Sequence, residues 1–242
     1  MKKLQLWVSG RTVPVSSDVH ALAASYGSNC FMRALLCAAL ATHMPSDQSE
    51  TRQLLIQEAL DVLEYANIRG GTRLSDARVA NGTPDPHDIR MWCLGNEMDG
   101  PWQLGHDSPR NYGRLAAKTA RAMRQVDPGL ELVVCGSSSA AMPMFGTWER
   151  IVLEETYDEV DYISCHAYYE PHDGDYGSFL ASAVNMDRFI ESVVATADHV
   201  KAVRGSDKTI NISFDEWNVW YLSRYENVDK ITDPQDWPIA PR

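Results

Sequence analysis

Two short runs of the sequence carry the residues that could do chemistry. The first, residues 95–102 (GNEMDGPW), places Glu97 after Asn96, and the second, residues 214–220 (FDEWNVW), holds Glu216. Each glutamate follows an apolar, strand-like stretch and lies close to tryptophan, whose large apolar face suits the C–H face of a sugar. Glycosidic cleavage needs one carboxylic acid to protonate the leaving oxygen and one carboxylate to attack the sugar. The two runs therefore predict chemistry on carbohydrates.

Strand-like and helix-like stretches alternate around these runs. Apolar runs predict strands at 89–94, 131–135, 161–168 and 209–214, and periodicity and capping signals predict helices at 53–65, 108–127, 148–155 and 179–203. This alternation implies a parallel sheet with right-handed crossovers. A (β/α)8 barrel and a doubly wound sheet both bind ligands at the C-terminal ends of such strands, so the alternation alone leaves both folds open.

The spacing of the two glutamates favours a barrel. Two predicted strands lie between those of Glu97 and Glu216, so the glutamates are three strands apart. A flat sheet would separate them by roughly 14 Å, whereas a barrel can aim both at one sugar. We therefore expect an α/β fold of the (β/α)8 TIM-barrel type. Four strands are recognisable where a closed barrel has eight, so we expect the barrel to be incomplete.

Three motifs resemble those of glycoside hydrolase family 51, the α-L-arabinofuranosidases of a large clan of retaining (β/α)8 glycosidases. They are residues 92–106, 165–169 and 213–221, and the resemblance covers about residues 53–225. It implies that the recognisable strands are strands 4–7 of the family's barrel. Residues 51–242 would then be a partial catalytic domain, preceded by a segment, 1–50, of unclear origin with a candidate strand at 4–8 and an apolar helix at 30–41.

The resemblance implies roles for the two glutamates. Glu97 would be the general acid/base, and Glu216 would be the nucleophile. A retaining pair lies about 5 Å apart and passes through a covalent glycosyl-enzyme. The acid/base needs a raised pKa, which we expect an apolar wall to supply for Glu97.

The same resemblance implies a set of substrate-binding residues, namely Asn96, Trp102, His166, Tyr168 and Trp220. Asn96 would hydrogen-bond the sugar 2-hydroxyl. His166 and Tyr168 would position the nucleophile and line the sugar pocket, and Trp102 and Trp220 would wall the site. Without the motif, His166 is better interpreted as a buried histidine that donates to backbone.

Other polar and sulfur-bearing residues suggest no further site. His106, His172, Asp173 and Asp175 have no spacing typical of metal ligands and indicate a polar loop. Three cysteines, Cys93, Cys135 and Cys165, lie in or beside apolar runs and are predicted to be buried thiols, while Trp92 and Trp148 are predicted to be core. We expect no metal and no cofactor.

Composition and net charge limit the classes of binding partner that we expect for this protein. The chain has 242 residues with a formal net charge of −11, and it has no basic run beyond its first three residues. Nucleic acid and anionic membrane are therefore not expected as partners. Five cysteines, an odd number without a CxxC pair, favour reduced thiols, and no convincing export signal is present, so we expect a cytoplasmic protein.

The predicted function is retaining hydrolysis that releases terminal α-L-arabinofuranosyl residues from arabinose-containing polysaccharides or oligosaccharides. One alternative is a related clan enzyme acting on β-glucan or xylan, because the Asn-Glu pair is shared across that clan. Another is a catalytically inactive fragment or a sugar-binding remnant, because barrel strands are missing. The open edges of a partial barrel also predict possible homo-oligomers.

Overall fold

The structure is a computed structural model and describes residues 5–8, 11–14, 48–103, 105–221 and 223. Near the start, strands β1 (Gln5–Val8) and β2 (Arg11–Pro14) pair antiparallel. The strand predicted at 4–8 is confirmed over most of its length. The helix predicted at 30–41 lies outside the described residues.

A four-stranded parallel sheet carries the two glutamate runs. Its strands are β3 (Met91–Cys93), β4 (Glu131–Val134), β5 (Tyr162–Tyr169) and β6 (Asn211–Val219), in that spatial order. All three pairings are parallel, which confirms the arrangement predicted from the alternation. The last strand runs past Glu216, so this glutamate lies within a strand and not, as predicted, at its end.

Six helices are described, and they connect and cover the strands. They are α1 (Gln48–Asn67), α2 (Arg73–Ala80), α3 (Pro109–Val126), α4 (Thr147–Thr156), α5 (Tyr176–Leu180) and α6 (Ser182–Arg204). Helix α3 begins as predicted, because Ser108 Oγ accepts a hydrogen bond from the backbone N–H of Asn111 and proline occupies the first turn. No helix among the described residues is long and apolar enough to cross a membrane.

Two helical segments differ from the prediction. The single helix predicted at 179–203 is divided into α5 and α6 at Ala181, which ends one helix and precedes the other. Helix α2 was not predicted, because half of its eight residues are polar and its start depends on a local capping box. There Thr72 and Ser75 bond each other's backbone N–H groups.

The core lies between the sheet and helices α1, α3, α4 and α6. Trp92 and Trp148 are buried, as predicted, and each indole N–H donates to a backbone carbonyl, so neither leaves an unpaired donor inside. Tyr112 of α3 stacks on Trp148 and ties the ends of two strands together. Its hydroxyl donates to the carbonyl of Leu94 at 3.0 Å and accepts from the N–H of Cys135 at 2.8 Å.

A second polar element joins α1 to α2. Arg78 is fully buried and its guanidinium donates only to backbone carbonyls. These acceptors, with Arg78, form what we call the Arg78 junction: the carbonyls of Tyr65, Ile68, Arg69, Thr83 and Pro84, at 2.6–3.3 Å. The junction satisfies the carbonyls that end α1 and those that follow α2.

Candidate active site

The turn after β3 presents the first glutamate. Gly95 has a φ of 121°, and a Cβ at this position would meet the Met98 side chain at 2.9 Å, so only glycine fits here. Glu97 itself has a φ of 47°, an uncommon conformation for a residue with a side chain. This strained turn aims the Glu97 carboxylate at the C-terminal end of the neighbouring strands.

An irregularity in β6 presents the second glutamate. The pairing with β5 steps from Cys165–Phe214 to His166–Glu216, which leaves Asp215 as an extra residue in β6. The Phe214 ring packs edge-on against Phe189 of α6 on the core side of the sheet. Because the bulge interrupts the alternation of side chains, Asp215 and Glu216 both contact His166.

His166, from β5, lies between the carboxylates. Its side chain is 4% exposed, and its Nδ1 lies 3.0 Å from Glu97 Oε1 and 3.7 Å from Glu216 Oε2. Its Nε2 lies 3.1 Å from Asp215 Oδ1. The buried imidazole therefore contacts three carboxylates, and the interpretation of His166 as a histidine that donates to backbone is wrong.

The two glutamates converge although their strands are the outer ones of the sheet. One oxygen of Glu97, one of Glu216 and His166 Nδ1 or Nε2 all lie within 4.8 Å of one another. A flat sheet would separate the two strands by roughly 14 Å, so the sheet is curved and the side chains meet on its concave side. Their spacing matches a retaining pair, about 5 Å apart, and is shorter than that of an inverting pair.

Hydrogen bonds set the charge state of Glu97. Burial raises the pKa of its carboxyl, but hydrogen bonds from His166 and from the indole N–H of Trp102, the latter at 2.7 Å, outweigh burial and leave the pKa below its ordinary value. The raised pKa that we predicted for Glu97 is therefore wrong in this ligand-free chain. The prediction took into account an apolar wall beside Glu97 but not the hydrogen bonds that His166 and Trp102 donate to it.

Aromatic residues flank the second glutamate. The Tyr168 hydroxyl donates to Glu216 Oε1, and the Tyr168 ring meets Trp220 edge-on with centroids 4.7 Å apart. Trp220 and Tyr168 also line an open cavity of about 990 Å³ that extends over Tyr169, His172 and Arg188. Trp102 lies beside Glu97, and its side of the site is exposed.

Asn96 directly precedes Glu97 on the turn after β3. It is half-buried and lines a narrow interior space together with Cys93, His166 and Asp215. All seven predicted site residues thus lie at the same end of the sheet, on β5 and β6, on the turn after β3 or, for Trp220, directly after β6. Sequence reasoning missed Asp215, because strict alternation would turn it away from Glu216.

The side chains that could together bind a metal ion are those of the two glutamates and His166. In the part of the chain that the structure describes, Glu97, His166 and Glu216 are the one group with ligand atoms close enough to hold an ion, and hydrogen bonds already link them. The loop residues considered above do not meet: His106 bonds a neighbouring carbonyl, and Asp175 caps α5. The absence of a metal stays a prediction.

The three cysteines among the described residues are thiols in or beside the core. Cys135 and Cys165 are buried as predicted, and burial raises the pKa of each thiol to about 12. Cys93 is half-buried and its Sγ lies 3.8 Å from Asp215 Oδ2. A thiol with so high a pKa is a poor nucleophile, so the carboxylates remain the reactive groups.

Comparison with known proteins identifies the family. The model of the alpha-L-arabinofuranosidase 1 domain matches residues 29–192. The chain is 62% identical over 187 residues to an intracellular exo-alpha-(1->5)-L-arabinofuranosidase of Streptomyces lividans, covering 77% of this chain and 28% of that protein. It is 57% identical over 195 residues to an exo-alpha-(1->6)-L-arabinofuranosidase of Bifidobacterium longum, covering 77% and 37%.

A solved structure agrees. A family 51 alpha-L-arabinofuranosidase from Bifidobacterium longum superposes with a TM-score of 0.67 at 48% identity, over 71% of this chain and 35% of that one. The four-stranded sheet and its helices are therefore part of a (β/α)8 barrel. The chain spans about a third of the length of the relatives it matches. It belongs to glycoside hydrolase family 51, the α-L-arabinofuranosidases.

Proposed function

We propose that this chain supplies the catalytic pair of a retaining glycoside hydrolase that releases terminal α-L-arabinofuranosyl residues, with residues 51–242 as part of its catalytic domain. One observation carries the proposal: a carboxylate oxygen of Glu97 and one of Glu216 lie within 4.8 Å on the concave side of the sheet. That spacing leaves room for direct attack on the sugar and not for an intervening water.

In the proposed first step, Glu216 attacks the anomeric carbon while Glu97 protonates the leaving oxygen. The hydroxyl of Tyr168 donates to Glu216 and holds its carboxylate in place. In the second step Glu97 acts as a base and takes a proton from the water that releases the sugar. Asn96, Trp102 and Trp220 bind the sugar in this proposal.

The lowered pKa of Glu97 adds a requirement. With a pKa below its ordinary value this carboxyl is ionised at neutral pH, whereas the first step needs its proton. A bound sugar that excludes water and displaces the Trp102 indole from Glu97 would raise the pKa again. His166, 3.0 Å from Glu97, is the nearest side chain that can exchange a proton with it.

The test is hydrolysis of an aryl α-L-arabinofuranoside by the purified chain. We expect turnover with retained anomeric configuration by NMR, and loss of at least about 10³-fold in kcat for Glu216→Ala. Glu97→Ala should lose turnover and recover part of it with azide, an anion that attacks the glycosyl-enzyme in place of water and needs no base. Glu191→Ala, at an exposed position of α6, is the matched control. Full turnover by Glu216→Ala would refute the assignment.

A second candidate is a sugar-binding remnant without turnover. The observation that favours it is that the described sheet has four strands, with β3 and β6 as its outer strands. Calorimetric binding of arabino-oligosaccharides by a folded chain that hydrolyses none of them would support it. The alternative substrates, β-glucan and xylan, serve as competing ligands in the same titration.

The names of the relatives support proposals on the substrate class and on the cellular location of this protein. The two relatives above are named for 1->5 and 1->6 linkages, so we propose only a terminal arabinofuranosyl group on an oligosaccharide or polysaccharide. Since the Streptomyces lividans relative is named intracellular, we propose a cytoplasmic location, testable by cell fractionation.

We also propose that the protein forms homo-oligomers, because large apolar side chains such as Leu180 and Val203 are exposed. Sedimentation would give the mass of the assembly.

A further inference from the structure

Asp215 is the buried carboxylate at the site that the catalytic roles above leave unused. We propose that Asp215 is a positioning residue that fixes the ring orientation and the tautomer of His166, so that Nδ1 faces both catalytic glutamates. This inference rests on the proposed function, because it explains how the site holds the imidazole beside Glu97 and Glu216. It does not require Asp215 to touch the substrate.

The bulge in β6 brings Asp215 to the histidine. In a regular strand neighbouring side chains point to opposite faces. The ladder with β5 skips Asp215, pairing Phe214 with Cys165 and Glu216 with His166. Two consecutive carboxylates therefore reach one imidazole, Asp215 at Nε2 and Glu216 at Nδ1, with distances of 3.1 and 3.7 Å.

The hydrogen-bonding capacity of each group determines the tautomer. An ionised carboxylate only accepts, so Asp215 Oδ1, 3.1 Å from His166 Nε2, favours a proton on that nitrogen. The other ring nitrogen, Nδ1, is then left for Glu97, and one proton between Nδ1 and Glu97 Oε1 can lie on either atom. Without Asp215, His166 could leave Nε2 unprotonated or rotate its ring, and a rotated ring would no longer hold Nδ1 3.0 Å from Glu97.

Neighbours from both outer strands hold Asp215 itself. Ser213 Oγ donates to Asp215 Oδ2 at 2.9 Å from within β6, and Cys93 Sγ of β3 lies 3.8 Å from the same oxygen. The Oδ1 oxygen faces His166, and the Asp215 side chain is 15% exposed. The carboxylate is thus fixed on one oxygen and directs the other at the imidazole, as an orienting group must.

The decisive measurement is the protonation of the His166 ring nitrogens by ¹⁵N NMR of histidine-labelled protein, with His166→Asn used to assign the signal. In the native chain we expect a protonated Nε2 between pH 6 and 8. Asp215→Ala should lose this fixed state and show exchange between tautomers. Asp215→Asn should keep it, because the amide oxygen still accepts. Asp187→Ala, exposed on α6, is the control.

Kinetics supply the second measurement. If the chain turns over an aryl arabinofuranoside, Asp215→Ala should lower kcat by roughly 10–100-fold with little change in KM, as for other orienting partners of histidine, and Asp215→Asn should restore most of it. An unprotonated Nε2 in the native chain, or an unchanged tautomer in folded Asp215→Ala, would overturn the proposal. The NMR result needs no turnover, so an inactive chain would refute the proposed function alone.

Discussion

The Arg78 junction and the surroundings of His166 are both buried polar centres, but their partners differ. Arg78 donates to five backbone carbonyls, which are neutral and do not titrate. His166 meets three carboxylates at 3.0–3.7 Å, each of which can gain a proton. Arg78 thus faces only acceptors that cannot take up a proton, whereas His166 faces three that can.

This difference separates a structural centre from a reactive one. Carbonyls around a permanent cation satisfy the ends of two helices and leave nothing to exchange. Carboxylates around an imidazole place exchangeable protons at short distances, which acid–base catalysis requires. We therefore expect variants of Arg78 to change stability and variants of His166 to change reactivity.

Arg78→Met should have the largest effect. It leaves five carbonyls without their donor in a buried place, and we expect a loss of about 3–5 kcal/mol in the free energy of unfolding. Urea denaturation measures this loss. Arg73→Met, whose arginine is 75% exposed on the same helix, should change stability little. An Arg78→Met chain as stable as the native one would remove the distinction between the two centres.

His166→Asn should act mainly on turnover. The amide cannot reach all three carboxylates, so Glu97 loses its main donor and we expect kcat to fall by at least about 10²-fold. The pKa of Glu97 should rise, because burial then dominates. Steady-state kinetics and thermal unfolding together test this, with exposed His199→Asn as control. A large loss of stability with unchanged kcat per folded molecule would make His166 a second structural centre.

Trp102→Phe should give a smaller change with a definite sign. The indole N–H stabilises ionised Glu97 at 2.7 Å, and phenylalanine removes that donor while keeping an aromatic ring. The pKa of Glu97 should rise, so the basic limb of the kcat/KM profile should move to higher pH, because Glu97 must be protonated to act as an acid. Exposed Trp217→Phe should leave the limb in place. A shift to lower pH would contradict this account.

The elements that could be predicted from sequence are those with local signals. Buried parallel strands are apolar runs, so β4 was located to within a residue, and a serine cap with proline in the first turn located the start of α3. Helix α2 was missed because its buried Arg78 and its polar surface give no apolar face. Its stability depends on carbonyls contributed by other segments.

The sequence predicted which residues form the site, but it did not predict the hydrogen bonds and pKa shifts within it. The motif runs pointed to Glu97, His166 and Glu216, and the structure brings them together. The bulge at Asp215 depends on the pairing of β6 with β5, which no local pattern reports. The lowered pKa of Glu97 depends on two donors, one on the turn after β3 and one on β5, and the apolar residues before Glu97 suggested the opposite direction.

The smallest expected effect concerns Asp99, a carboxylate that accepts hydrogen bonds from neutral donors and so lies between the two kinds of centre. Its Oδ2 accepts from the N–H and the hydroxyl of Ser138, linking the loop after β3 to the loop after β4, while burial raises its pKa. A raised pKa in the folded state favours folding while Asp99 is protonated, and that contribution is lost as pH rises through the folded pKa. Asp99→Asn removes the charge and keeps an acceptor, so it should be more stable than the native chain at pH 7. The gain should shrink as pH falls through the carboxyl range. Chemical denaturation at pH 4 and pH 7 measures it, and a gain that grows toward pH 4 would mean that the Asp99 carboxylate, like Glu97, is stabilised in its ionised form.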